Sequence, residues 1–129
     1  MITRAAILGS GSWGTALACL LAHRLDEVCL IGRNQKTVDE INQHHSNGHY
    51  IPNLSLDTKI TASTDIERCK DFPLVLFVVP TAATEATAIQ LASIGLPANT
   101  VLVSCAKGIS PDGERMSQII HRHLPDNPL

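Results

Sequence analysis

The stretch Ala5-Ala6-Ile7-Leu8-Gly9-Ser10-Gly11-Ser12-Trp13-Gly14-Thr15-Ala16-Leu17-Ala18 decides the fold. A short apolar run meets a G-x-G-x-x-G turn, and a helix-compatible run follows. That order suits the diphosphate of a dinucleotide. The strand brings the chain to the sheet edge, and Gly9 permits the tight turn. Gly11 lets the backbone approach the phosphates, and Gly14 allows close packing of helix on strand. The helix then directs free N–H groups and its positive dipole end at the anion. Three glycines alone could equally mark a tight strand-to-helix turn with no ligand. The strand before them and the helix after them favour the dinucleotide.

Working outward, apolar runs alternate with helical ones, as in a parallel sheet built from crossover units. Strands are expected at residues 4–8, 28–31, 59–61, 74–79 and 100–105, the fourth being the most apolar and so central. Helices are expected at 12 to about 25, 36 to about 44, briefly after 63, at 81 to about 94 and at 113–124. The first should carry Ala16, Leu17, Leu20 and Leu21 on one face, and Ser63 or Thr64 should cap the short one. Residues 46–57 read as loop, with Asn47-Gly48 and Ile51-Pro52 as turn signals. The expected architecture is α/β: a Rossmann-type doubly wound parallel sheet of five strands, in the order 3-2-1-4-5, within three αβα layers. Strands one and four then border the ligand crevice, and the loops starting at Gly9, Gly32, Pro80 and Ala106 rim it.

Composition bounds the function. The 129 residues suffice for one domain with a sizeable core. A hydrophobic share of 44% against 17% charged argues against disorder. A net charge of −2, no basic stripe and 3% aromatic residues leave no case for nucleic acid or an anionic membrane. No transmembrane span or signal peptide is expected, so the cytoplasm is the expected location and the sequon Asn53-Leu54-Ser55 a coincidence. Cys19, Cys29, Cys69 and Cys105 are expected to be buried, reduced thiols. The six histidines show no metal-ligand spacing, since His121 and His123 point apart on a helix, and no metal is expected.

Two side chains stand out. Arg33, in Leu30-Ile31-Gly32-Arg33-Asn34, lies 19 residues past Gly14, where an acid would hold the ribose of NAD. An arginine there pairs naturally with the 2′-phosphate of NADP(H), which is therefore the favoured cofactor, or else it is simply a solvated strand-end residue. It also argues against an S-adenosylmethionine domain, which keeps an acid at that position. Lys107 follows strand five directly, at the carboxyl edge. There it could hold a phosphate, orient a carbonyl or donate a proton, or merely be an exposed loop lysine.

In combination, the glycine segment, Gly32-Arg33-Asn34, Asn47-Gly48-His49-Tyr50-Ile51-Pro52-Asn53-Leu54, Phe77-Val78-Val79-Pro80 and Ala106-Lys107-Gly108-Ile109 resemble the NAD(P)-dependent glycerol-3-phosphate dehydrogenases. The resemblance implies reversible hydride transfer between dihydroxyacetone phosphate and sn-glycerol 3-phosphate, feeding phospholipid synthesis. It implies that Ser12, Trp13, Arg33 and Tyr50 contact the cofactor and that Lys107 touches cofactor and substrate. Gly9, Ser10, Gly11, Gly14 and Pro80 complete the expected cofactor site. It also implies a homodimer at full length. Such enzymes continue with another strand, a substrate loop and a helical domain carrying the general acid/base lysine. Residues 1–129 are therefore expected to be an N-terminal dinucleotide-binding domain, inactive alone, whose fifth strand is a bare edge. A 6-phosphogluconate or ketopantoate type of dehydrogenase, or a non-enzymatic nicotinamide sensor, could share the same first half.

Overall fold

The structure is a computed structural model that describes all residues from Met1 to Leu129. Five parallel strands form one sheet in the order β3-β2-β1-β4-β5. They are β1 (Arg4–Leu8), β2 (Glu27–Ile31), β3 (Ile60–Ser63), β4 (Leu74–Phe77) and β5 (Val101–Ser104). The helices are α1 (Ser12–Ala22), α2 (Gln35–His44), α3 (Thr84–Ser93) and α4 (Met116–His123), with 3₁₀ turns at Ile66–Asp71 and Thr81–Ala83. The sheet order and the three layers are as expected, and β4 is an interior strand, paired with β1 on one side and β5 on the other.

Strand alternation sorts the core into two halves. Ala5, Ile7, Val28 and Leu30 join Ala18 and Ala22 of α1 and Val38 and Ile41 of α2. Ala6, Leu8, Cys29, Val75 and Phe77 face the other way, against Ala88 and Leu91 of α3 and Ile120 of α4. Both faces of the sheet are thus covered, which is why its strands are almost continuously apolar.

Several expected boundaries are corrected. α1 ends at Ala22, not near Leu25, because Leu25 turns into the core and Asp26 N–H bonds the Thr3 carbonyl to begin β2. Its buried stripe is Gly14, Thr15, Ala18 and Ala22, while Leu20 is exposed. Small residues let the helix lie close to the sheet. The cap of the 3₁₀ turn is Asp65, whose carboxylate accepts from Glu67 N–H at 3.0 Å. Neither Ser63 nor Thr64 caps it, Ser63 Oγ serving Asp65 N–H instead. α4 starts at Met116 and not at Gly113, whose φ of +82° belongs to a turn. Cys29 and Cys69 are buried as expected, whereas Cys19 and Cys105 are only half-buried.

The β5 edge is not bare. Leu102 N–H bonds the Pro128 carbonyl at 2.7 Å. The buried Asn127 side chain donates to the carbonyls of Pro97 and Thr100 at 2.8 and 2.9 Å. No helix is long and apolar enough to cross a membrane.

Candidate functional site

Parallel strands deliver all their carboxyl-end loops to one side of the sheet, and there a cavity of about 1220 Å³ opens. Gly9, Ser10, Gly11, Ser12, Trp13, Gly14, Arg33, Tyr50, Pro80 and Lys107 all line it. Every residue expected in the site is therefore brought to one crevice. Its lining includes two cations, Arg33 and Lys107, and no Asp, Glu or His. Such a wall attracts an anion and lacks the imidazole or carboxylate that most often serves as general base.

The glycine turn is shaped by packing. Gly9 has φ +118°, and a methyl group there would overlap the Val78 carbonyl. A methyl at Gly14 would overlap the Gly9 carbonyl, so helix and strand meet at the closest possible approach. Gly11 differs: an added carbon would meet only Tyr50 Cε1, at 3.9 Å. The protein itself leaves that space open. α1 has no side-chain cap at Gly11, and the amide N–H groups of residues 10–14 find no partner in the chain. Five donors at the positive end of a helix thus face the crevice without a bond, a set whose chemistry fits a diphosphate.

The flanking loops are held to different degrees. Asn34 caps α2, its side chain accepting from Lys36 N–H at 2.9 Å, which fixes the backbone beside Arg33. The exposed Arg33 guanidinium joins none of the ion pairs, whose acids are Glu27, Asp71, Glu85 and Glu114. Lys107 is exposed too, and Thr81 Oγ1 donates to its carbonyl at 3.0 Å, tying the β4 and β5 loops together across the crevice. Trp13, 59% exposed, and Tyr50 present aromatic surface to the opening. Ser12 Oγ donates to the Tyr50 carbonyl at 3.2 Å.

Residues without an assigned role in the sequence hold this site from beneath. Asn47 is buried against the turn, and Glu40 of α2 accepts from Ser46 Oγ at 2.6 Å and Gly48 N–H at 2.8 Å. Those two bonds hold the Glu40 carboxyl below its ordinary range. Asn47-Gly48 had the signature of a turn, but nothing local reveals partners more than 30 residues away. Cys105 lines the crevice, and burial raises its thiol pKa, so it is no ready nucleophile. Cys69 is pushed up to about 12 by burial. No group of three or more His, Cys, Asp or Glu could hold a metal ion.

A doubly wound sheet with uncapped amides at a G-x-G-x-x-G turn, placed where the strand order reverses, defines a Rossmann-type dinucleotide-binding domain. The family model described as the N-terminus of NAD-dependent glycerol-3-phosphate dehydrogenase matches residues 4–129. The chain belongs to that family. A glycerol-3-phosphate dehydrogenase [NAD(P)+] of Streptococcus uberis is 44% identical over 122 residues, 93% of this chain and 36% of the relative. One of Enterococcus faecalis is 41% identical over 97% of this chain and 37% of the relative. The crystal structure of glycerol-3-phosphate dehydrogenase from Coxiella burnetii superposes with a TM-score of 0.86 at 28% identity, covering 95% of this chain and 38% of that one. The chain thus spans little more than a third of the length of the relatives it matches.

Proposed function

We propose that residues 1–129 form the cofactor-binding domain of an enzyme that transfers a hydride between NAD(P)H and dihydroxyacetone phosphate or sn-glycerol 3-phosphate. One observation carries this reading: five unpaired backbone N–H groups open into a crevice that holds two cations and no acid. Bound there, the nicotinamide would supply the hydride donor or acceptor. The amides of residues 10–14 hold the diphosphate, and Ser12, Trp13, Tyr50 and Pro80 wall the cofactor. Lys107, on the opposite rim, serves cofactor and substrate phosphate. Turnover needs groups that position the three-carbon substrate against the ring, and these belong to a further, helical domain. Homodimeric assembly, which the family resemblance implies, and a cytoplasmic location belong to the same proposal.

NADP(H) is the preferred form. Arg33 is unpaired, and no carboxylate stands at the end of β2 to receive a ribose hydroxyl. Titration with NADPH and NADH, followed through Trp13, the only tryptophan, tests both statements. Saturable quenching by NADPH at lower concentration than NADH is expected. No binding of either would end the cofactor reading, and equal affinities that Arg33→Ala leaves unchanged would end the preference alone.

A further inference from the structure

Beneath the glycine turn lies a polar side chain where an apolar one would cost less to bury. Asn47 is 1% exposed, and its Nδ2 donates to the Ser10 carbonyl and to Thr15 Oγ1, both at 2.9 Å. Thr15, fully buried, donates its hydroxyl to the Gly11 carbonyl at 2.7 Å. Asn47 Oδ1 has no partner in the chain. Leaving a buried oxygen unsatisfied is unfavourable, so the use of this amide lies in its two donated hydrogens.

What those hydrogens fix is the direction of two peptide planes. The peptide unit is rigid, and every one in the chain is trans. A carbonyl held inward therefore turns the next residue's N–H outward. Asn47 pins the Ser10 carbonyl, which sends the Gly11 N–H toward the crevice that Gly11 lines. The Gly11 carbonyl accepts from Thr15 N–H at 3.0 Å and from Thr15 Oγ1, which sends the Ser12 N–H out of the helix end. Glycine at position 11 leaves room for a ligand, but its backbone freedom also makes the preceding plane easy to flip. The buried asparagine removes that freedom.

We infer that Asn47, acting with Thr15, is a positioning residue that aims the Gly11 and Ser12 amide hydrogens at the diphosphate of a bound dinucleotide. The inference rests on the cofactor reading above. The same residue also sets the height of the Tyr50 wall. Its carbonyl accepts from Tyr50 N–H and Ile51 N–H at 3.2 and 2.8 Å, so turn and wall share one anchor.

Amide resonances of the isotope-labelled chain, followed during titration with ADP and with NADPH, provide the test. In the wild type, both ligands should shift the Gly11 and Ser12 amide protons downfield. Asn47→Asp keeps the size but loses both donated hydrogens. It should weaken ADP and NADPH about tenfold or more, comparable to losing one charge-assisted hydrogen bond. The Gly11 shift should shrink while β1 and β2 resonances stay in place. A role in packing alone would lower the melting temperature and leave the ligand-induced shift intact. A folded Asn47→Asp protein that binds as the wild type does, with the Gly11 shift unchanged, overturns the inference. Should Asn47→Asp not fold, Thr15→Val decides by the same readouts: weaker binding with a diminished Ser12 shift supports the assignment, and wild-type behaviour overturns it. A wild-type chain in which neither ligand moves these resonances removes the cofactor reading itself.

Discussion

On the β1 side of the crevice, the polar groups that line it are backbone amides, locked between Gly14, the Val78 carbonyl and a buried Asn47–Thr15 pair. On the β2 and β5 sides, Arg33 and Lys107 reach the same opening as exposed side chains. The locked side offers donors whose direction does not depend on rotamers, so binding a phosphate there orders almost nothing. The exposed side must immobilise long side chains on binding, at about 0.5–1.5 kcal/mol for each. On the proposed reading, the diphosphate grip is preorganised, and the side chains proposed to choose between cofactors are adjustable.

The comparison breaks most severely at Gly9. Gly9→Ala requires a side chain at φ +118° and an overlap with the Val78 carbonyl, backbone that cannot step aside. A loss of about 3 kcal/mol or more is expected, visible as a large fall in melting temperature together with lost binding. A Gly9→Ala variant of wild-type stability would show that the locked side is not locked.

Arg33→Ala probes the opposite side. Stability should stay within about 0.5 kcal/mol of the wild type, while NADPH binding weakens by about 1.5–3 kcal/mol and NADH binding barely changes. Calorimetric titration with both cofactors measures the split. Lys107→Ala should likewise spare the melting temperature and cost NADPH binding roughly tenfold or less, because the lysine is a solvated point charge. In a full-length enzyme its larger effect should fall on turnover, and unchanged turnover would remove Lys107 from the site.

The smallest effect concerns Glu40. Its folded pKa is depressed by hydrogen bonds from Ser46 and Gly48, so the stability it contributes is present above the ordinary glutamate value of 4.5. That contribution is lost as pH falls through the lower, folded pKa. Glu40→Gln should therefore melt slightly earlier than the wild type at neutral pH, and the gap should close in acid. A gap that persists at all pH values would show that the carboxylate's charge is immaterial to the loop.

These two sides also differ in how legible they are in the amino-acid sequence. The glycine turn, the five strands and their order follow from local pattern and the crossover rule, since each apolar run is short and Gly or Pro bounds α1, α3 and α4 at one end or both. Arg33 and Lys107 are legible as well, because topology alone carries strand ends to the crevice. The inner face of α1 is not. Its residues are apolar nearly all round, so periodicity offers no contrast: Leu20 looks like core but is exposed, and Leu17 packs against the core only in part. What places Gly14, Thr15, Ala18 and Ala22 inside is the close approach of helix and strand, a tertiary demand. Asn47 and Glu40 escape for a related reason. A turn-forming asparagine and a helical glutamate are ordinary where they stand, and only folding brings Asn47 to Ser10 and Thr15, 37 and 32 residues away.

The bond between Leu102 and Pro128 closes one rung on the outer flank of β5. Uncontrolled sheet-to-sheet growth starts from a free rung on an outermost strand. Here that rung is already occupied from within, and the residue occupying it has a ring nitrogen with no hydrogen to offer a newcomer. A foreign strand approaching from that flank meets a proline where it needs a donor, so the margin of the sheet discourages the stacking that its apolar strands would otherwise invite.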